Sequence, residues 1–202
     1  HRGDNMKIDS KDMLNSILES LSRIDYIHAD DIPNIDLYMD QVTTFMDTQL
    51  SSTRRYDQDK ILTKTMINNY AKNNLLPPPV KKKYTKEHVL ILIFIYYFKN
   101  ILSIKDIECL LHPLTEKYFH KEDDFDLTSI YEEVCSMEKS DVEPLMEEMK
   151  EIYARAMDSF SDAPDEDRAY LQFFSLICSL SFDVYVKKMI IEKLIDSMPE
   201  LK

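Results

Sequence analysis

A group of lysine and asparagine side chains in the first half of the chain is suited to binding a polyanion. Lys81, Lys82 and Lys83 follow three consecutive prolines, which favour an extended segment that loses few conformations on binding. A polar stretch, 63–72, precedes them and carries side chains of the types that can contact base edges. Asn pairs with adenine through two hydrogen bonds and Lys reaches guanine. We therefore predict phosphate contacts from the lysines and base contacts from the polar stretch.

The predicted DNA-binding surface contains residues of three kinds: polar residues for base contacts, cations for phosphate contacts, and Tyr84, which directly follows the three lysines. The rings of Tyr70 and Tyr84 are expected to pack against the predicted helices and so to hold the lysines in place. The alternative is that the helix and the lysines only form a solvated surface. The candidate residues are Thr63, Lys64, Asn68, Asn69, Lys72, Lys81, Lys82, Lys83, Tyr84, Lys86, Arg54 and Arg55.

Charge is distributed unevenly along this acidic chain, whose formal net charge is −12. Residues 52–105 hold 11 basic and 3 acidic side chains and have a net charge of +8, whereas residues 1–51 and 106–202 are both acidic. A basic block between two acidic ones is a local electrostatic footprint for a polyanion that the average composition hides.

Several classes of active site lack the residues that they require. The chain has one glycine, Gly3, so it has no phosphate-binding loop, dinucleotide fingerprint or nucleophile elbow. The three cysteines match no zinc or redox spacing, and the five histidines form no catalytic pattern. The acidic cluster at 122–126 lacks the glycine of a calcium loop and reads as a solvated loop. We expect no catalytic residues, no metal and no cofactor, and therefore no enzyme.

The elements that must position the candidate residues are helices. Low glycine content and apolar residues at helical spacing predict a mostly helical, all-α protein with at most a minimal β wing. We expect helices at 37–50 and 62–73, with an asparagine of the pair Asn73-Asn74 in the left-handed conformation that ends the second of them. Residues 80–84 are expected to be extended. The uninterrupted apolar run that follows, Val89 to Phe98, is expected to lie in a helix buried on nearly all sides.

Later helices are expected in the acidic half of the chain. A short helix capped by Ser103 is expected to end at Pro113. Residues 165–197 are expected to form one or two further helices. Tyr170, Phe173, Phe174, Ile177 and Leu180 form an apolar stripe there, for which a core helix and a dimer interface are both open.

The stretch from Asp36 to Leu111 resembles the DNA-binding domain of the mercury-resistance (MerR) regulator family. Asn74-Leu75-Leu76-Pro77-Pro78 stands where that family ends its recognition helix, and Lys82 and Tyr84 stand in its wing. Leu102-Ser103-Ile104 with Asp106-Ile107 opens the next helix. The resemblance implies a winged helix-turn-helix, with an acidic helical bundle following it here, that binds duplex DNA.

A second resemblance concerns the helices that precede the lysines. Ile35–Val42 and Leu62–Tyr70 are similar to a bacterial family of domains of unknown function, the one numbered eighteen thirty-six. Its members are described only as regulators, so this resemblance adds a family and little mechanism.

Together these features predict a DNA-binding transcriptional regulator. We expect an N-terminal helical extension at 1–34, the DNA-binding domain at 35–112, and an acidic helical domain at 113–202 for dimerisation or sensing. The alternative is a helical protein-interaction module that binds no nucleic acid. Expected partners are double-stranded DNA, a second copy of the chain and an unidentified small-molecule effector. No signal peptide or membrane span is expected, which favours a cytoplasmic location.

Overall fold

The structure is a computed structural model that describes residues 10–121 and 123–198. The N-terminal residues, where no signal peptide was expected, and Glu122 of the acidic cluster lie outside this part of the chain. The regular elements of the described residues are α1 Ser10–Ser22, β1 Leu37–Tyr38, α2 Met39–Gln49, α3 Lys64–Lys72, β2 Lys83–Tyr84, α4 Lys86–Phe98, α5 Ile104–Tyr118, α6 Leu127–Ser140, α7 Val142–Met157 and α8 Asp165–Asp196.

The predicted fold class is confirmed, because the described residues are mostly helical and carry only one small sheet. That sheet has two antiparallel strands, in which Leu37 lies opposite Tyr84 and Tyr38 lies opposite Lys83. A sheet of this size adds little stability by itself. Its effect is to fix the start of α2 beside the lysine segment.

The described residues fall into two compact units. One comprises the chain up to Tyr26 together with Cys135–Lys187, and the other comprises Ile27–Val134 together with the chain from Lys188 onward. The functional boundaries expected at residues 34 and 112 stay a prediction.

The unit containing Ile27–Val134 is organised around α4. Seven of the thirteen residues of α4 are buried. Six of them are consecutive and therefore lie on all sides of the helix, so α4 contacts protein on nearly every side. The hydroxyl of Tyr131 on α6 donates a hydrogen bond to the carbonyl oxygen of Ile27 at 2.6 Å. This bond ties the two ends of the Ile27–Val134 segment together.

The other unit has a smaller core, formed mainly by α7 and α8. Met149, Ile152, Ala156 and Leu176 are buried together, and Leu14 and Leu18 of α1 pack against them. The apolar stripe predicted on α8 divides between two environments. Phe173 and Leu180 pack against this core, whereas Tyr170, Phe174 and Ile177 are exposed.

The expectation that Pro113 ends the fifth helix was wrong, because α5 continues through it to Tyr118. A proline within a helix removes one donor, here the one that would reach the carbonyl of Cys109. Cys109 is exposed, so water can take the place of the missing donor. The helix therefore tolerates the proline at this position.

Candidate nucleic-acid interface

Helix α3 presents a continuous polar surface to solvent. Ile67 and Tyr70 bury its opposite side, which follows from their spacing of three residues. We call the exposed side the polar face of α3, and it consists of Thr65, Asn68, Asn69 and Lys72, all of them exposed. Four side chains at helical spacing thus point away from the core, and all of them are polar.

Thr63 has a structural position at the start of this helix. It is the N-cap of α3, and its hydroxyl accepts a hydrogen bond from the backbone N–H of Met66 at 3.2 Å. Such a cap satisfies one of the unpaired donors of the first turn. Thr63 therefore holds the start of α3, whereas Thr65, which is not among the candidate residues, lies on the exposed face.

The end of α3 has the conformation that the sequence predicts. Asn74 has a φ of 60°, and the N–H of Leu75 donates to the carbonyl oxygen of Tyr70 at 2.9 Å. Together with a bond from the N–H of Asn74 to Ala71, this is a Schellman motif. The prediction of a left-handed asparagine at the end of this helix is confirmed, and Asn74 is the residue that directs the chain into the prolines.

The lysines form a tight turn, so the prediction of an extended segment at 80–84 was wrong at Lys81 and Lys82, whereas Lys83 and Tyr84 are extended in β2. Lys81 and Lys82 have φ values of 51° and 63°. The N–H of Lys83 donates to the carbonyl oxygen of Val80 at 3.0 Å. Positive φ at both central residues is the type I′ geometry of two-residue hairpins. We call this segment, Val80–Lys83, the lysine turn.

The two central positions of the lysine turn have a backbone conformation that favours Asn and Gly, yet both are occupied by lysine. A left-handed conformation costs roughly 1 kcal/mol or more for a residue that has a Cβ atom. Lys81 and Lys82 are both exposed, and neither has an ion-pair partner among the described residues. Two exposed cations at the tip of the hairpin therefore occupy strained backbone positions.

A buried histidine fixes the base of this hairpin. His88 is fully buried near the start of α4. Its Nδ1 accepts a hydrogen bond from the N–H of Thr85 at 2.9 Å, and its Nε2 lies 3.4 Å from the carbonyl oxygen of Pro78. Burial lowers the pKa of His88 from 6.5 to about 4. The ring is therefore neutral at pH 7, and its Nε2–H faces the proline segment.

The start of α2 brings the lysine turn and α3 into one neighbourhood. The ammonium group of Lys83 lies 5.6 Å from the centre of the Tyr38 ring. Lys64, the first residue of α3, forms an ion pair with Asp40. Because Tyr38 and Asp40 are two residues apart, both cations lie beside the first turn of α2, and α2 also packs against both α3 and β2.

The two arginines of the connector lie elsewhere along α2. Arg54 forms an ion pair with Asp47, and its side chain is only 22% exposed. Asp47 is seven residues further along α2 than Asp40, or roughly 10 Å along the helix axis. Arg55 is exposed and lies over the ring of Tyr56 at 5.3 Å. The structure therefore does not bring Arg54 together with the lysine turn.

Two other candidates are less accessible than the turn lysines. Tyr84 is 3% exposed, so it anchors β2 in the core and its ring is not accessible to a ligand. Lys86 is half-buried in the first turn of α4. The exposed candidates are thus Arg55, Lys64, Asn68, Asn69, Lys72, Lys81 and Lys82, whereas Lys83 is half-buried.

Sequence reasoning missed the residues that join these parts. Tyr38 and Asp40 hold the two cations, but their role depends on a strand pairing that the two residues of β1 do not signal. His88 occupies the N3 position of a capping box with Thr85, where Glu or Gln is the usual residue. A search for capping boxes that admits histidine would have found it.

Comparison with known proteins gives one match, and it covers more than half of the chain. Residues 27–134 match a family model described as a domain of unknown function, DUF1836. The resemblance drawn from Ile35–Val42 and Leu62–Tyr70 is thereby confirmed. Searches of curated proteins and of solved structures found no match. The matched range contains the lysine turn and the polar face of α3.

Proposed function

Because the chain belongs to the DUF1836 family, a domain of unknown function, we propose a function from the geometry of that domain: it binds duplex DNA as a transcriptional regulator. In this proposal the polar face of α3 enters the major groove and the lysine turn contacts the phosphate backbone. The helices α2 to α4 with their hairpin then act as a winged helix-turn-helix of the mercury-resistance regulator type.

The dimensions and side chains of α3 support the first part of the proposal. A nine-residue helix is roughly 14 Å long, and the major groove admits an α-helix. Asn68 and Asn69 are exposed and have the amide group that bonds adenine through two hydrogen bonds. The face carries no acidic residue that would repel phosphate.

The local charge supports the second part. The molecule as a whole is acidic, which disfavours unspecific binding to nucleic acid. Lys72, Lys81 and Lys82 are nevertheless exposed and lack ion-pair partners among the described residues, so phosphates would not have to displace a carboxylate from them. Neutralising phosphates releases counterions and drives such binding.

One observation carries the proposal. Lys83 and Lys64 both rest against the first turn of α2, through Tyr38 and Asp40. The polar face of α3, proposed to contact bases, and the lysine turn, proposed to contact phosphates, are therefore both held beside the first turn of α2. Sequence-specific binding needs both kinds of contact in one register.

Selection of bound duplexes from a random DNA pool tests the proposal. We expect the selected sequences to share a short motif and the binding to weaken as salt is added. Asn68→Ala should reduce discrimination at one position of the motif by about 1–3 kcal/mol. Asn100→Ala, which changes an exposed asparagine after α4, is the matched control and should leave the motif unchanged.

The result that would contradict the proposal is equally clear. Absence of salt-sensitive binding to any duplex near physiological ionic strength would overturn it and favour a protein-interaction module. Binding without any shared motif would overturn the role of α3 and leave only the phosphate contacts.

A further inference from the structure

Helix α3 lacks, along its exposed middle, the side chains that form the usual specific contacts with G·C base pairs. Arginine and lysine bind the O6 and N7 atoms of guanine, and aspartate and glutamate accept a hydrogen bond from the amino group of cytosine. The nine residues of α3 include no arginine and no acidic residue, and its two lysines are its first and last residues, Lys64 and Lys72. Whether α3 can select a G·C pair therefore depends on these two lysines.

Lys64 is engaged at the edge of the polar face of α3. Its ammonium group forms an ion pair with the carboxylate of Asp40 on α2. To bind guanine, Lys64 would have to leave this carboxylate, which would then lie unpaired close to the phosphates of the duplex. Like charges at short distance repel each other, so the presence of DNA favours keeping Lys64 with Asp40.

Lys72 lies at the other end of the helix. Recognition helices of the helix-turn-helix type contact bases with their N-terminal residues. Lys72 is the last residue of α3, roughly 10 Å along the helix axis from Thr65. This position suits a phosphate contact beyond the base pairs that the start of the helix reaches.

Three exposed side chains remain in the part of α3 that would face bases, and these are Thr65, Asn68 and Asn69. They lie within about 100° of arc around the helix and advance about 6 Å along its axis. That length corresponds to about two base-pair steps of 3.4 Å. None of these side chains forms a hydrogen bond within the described part of the chain, so no internal bond has to break before they contact a base.

We propose that the polar face of α3 is specific for A·T base pairs. Asn68 and Asn69 bind the N6 and N7 atoms of adenine, and the methyl group of Thr65 packs against the methyl group of thymine. Both base groups lie in the major groove, so the specificity belongs to that groove. This inference rests on the proposed function and names the kind of duplex that the domain selects.

Selection from a random DNA pool with exchanged side chains tests the inference. The position at which Asn68→Ala loses discrimination should hold an A·T pair in the motif of the natural chain. Asn68→Arg should change the preferred pair at this position to G·C, because a guanidinium group binds guanine through two hydrogen bonds. Each chain should prefer its own pair by about 5- to 150-fold. Asn100→Arg, the matched control, adds the same charge outside the polar face of α3 and should keep the A·T preference.

Base analogues in the recovered duplex test the individual contacts, with affinity measured by fluorescence anisotropy. Replacing the adenine at the Asn68 position by 7-deazaadenine removes the N7 acceptor. This change should weaken binding of the natural chain about fivefold and should not affect Asn68→Ala.

The contact of Thr65 has its own analogue. Replacing the thymines of the motif by uracil, one at a time, removes the methyl group. At one position this change should weaken binding of the natural chain about fourfold. Thr65→Ser keeps the hydroxyl but lacks the methyl group, so its affinity should not respond to the same change. Circular dichroism melting confirms that each variant is folded.

Three results would overturn the inference. These are a G·C pair at the Asn68 position of the natural motif, an unchanged base preference in Asn68→Arg, and equal affinity of the natural chain for the unmodified and both modified duplexes. The proposed function would survive each of them, because a shared motif would still be bound. Absence of salt-sensitive binding to any duplex would overturn both, so the two failures are distinguishable.

Discussion

Helices α4 and α8 are both rich in apolar residues, yet their surroundings are opposite. In α4 the residues from His88 to Ile93 are all buried, whereas in α8 most large apolar side chains are exposed. The difference follows from pattern. An unbroken apolar run places hydrophobic groups on every side of a helix and requires protein all around it. In α8 only one apolar stripe packs against the core with α7, and the other large apolar side chains remain exposed.

The comparison separates two uses of hydrophobic surface within one chain. The family domain buries its apolar residues around α4 and exposes polar groups on α3 and the lysine turn, as a domain that binds a polar ligand does. The α7–α8 unit buries one stripe of α8 and exposes another. In the proposed function, the polar groups on α3 and the lysine turn contact nucleic acid, and the apolar surface of α8 takes no part in that contact.

The largest effect that distinguishes the two helices is the cost of truncating an isoleucine. Ile91→Ala in α4 should lower the free energy of unfolding by about 2–5 kcal/mol, because it leaves a cavity in a fully buried position. Ile177→Ala in α8 should cost less than about 1 kcal/mol, because this side chain is exposed. Urea denaturation measures both, and equal costs would remove the distinction.

A second difference is the response to acid, which we expect to concentrate at the start of α4. The pKa of His88 is about 4 in the folded chain and 6.5 in the unfolded chain, so the unfolded chain binds more protons between these values. Stability from this group is complete above pH 6.5 and falls by up to about 3 kcal/mol as the pH drops toward 4.

His88→Gln tests this assignment, because glutamine fits the N3 position of a capping box but does not titrate. Every other side chain is the same in the two chains, so the comparison isolates His88. Urea midpoints measured from pH 4.5 to pH 7 should depend less on pH in the variant. The same pH dependence in both chains would contradict the role given to His88.

The smallest expected effect on stability concerns the lysine turn. Here the substitution should raise the free energy of unfolding, whereas the changes above lower it. Lys81→Asn with Lys82→Gly gives the turn the residues that its geometry favours. We expect a gain of about 1 kcal/mol in the free energy of unfolding, because the left-handed strain is relieved. A loss of stability in thermal or urea melts would show that the lysine side chains themselves hold the turn.

Local patterns predicted much of this fold. The burial of α4 followed from its apolar run, and the left-handed Asn74 followed from the preference of asparagine for that conformation. Both features depend on residues close in sequence. The family was predicted from its two helices in the same way.

Features that depend on tertiary contacts were not predicted. Lysine has no preference for positive φ, so nothing local marks Lys81 and Lys82 as a type I′ turn. The bridge between Val80 and Lys83 closes that turn. The contact of Lys83 with Tyr38 depends on the pairing of β2 with β1. For α8, the stripe was visible, but only packing decides which of its residues contact the core.

The most direct test of the central claim is the salt dependence of DNA affinity, measured by fluorescence anisotropy with a duplex recovered from the random pool. The account predicts that Lys81→Asn/Lys82→Gly binds more weakly although it is more stable. Its salt slope should be smaller by about 1.8, for two lost phosphate contacts. Lys139→Ala/Lys193→Ala, which removes two exposed lysines outside the family domain, should keep the original slope. An unchanged affinity and slope in the turn variant would contradict the account.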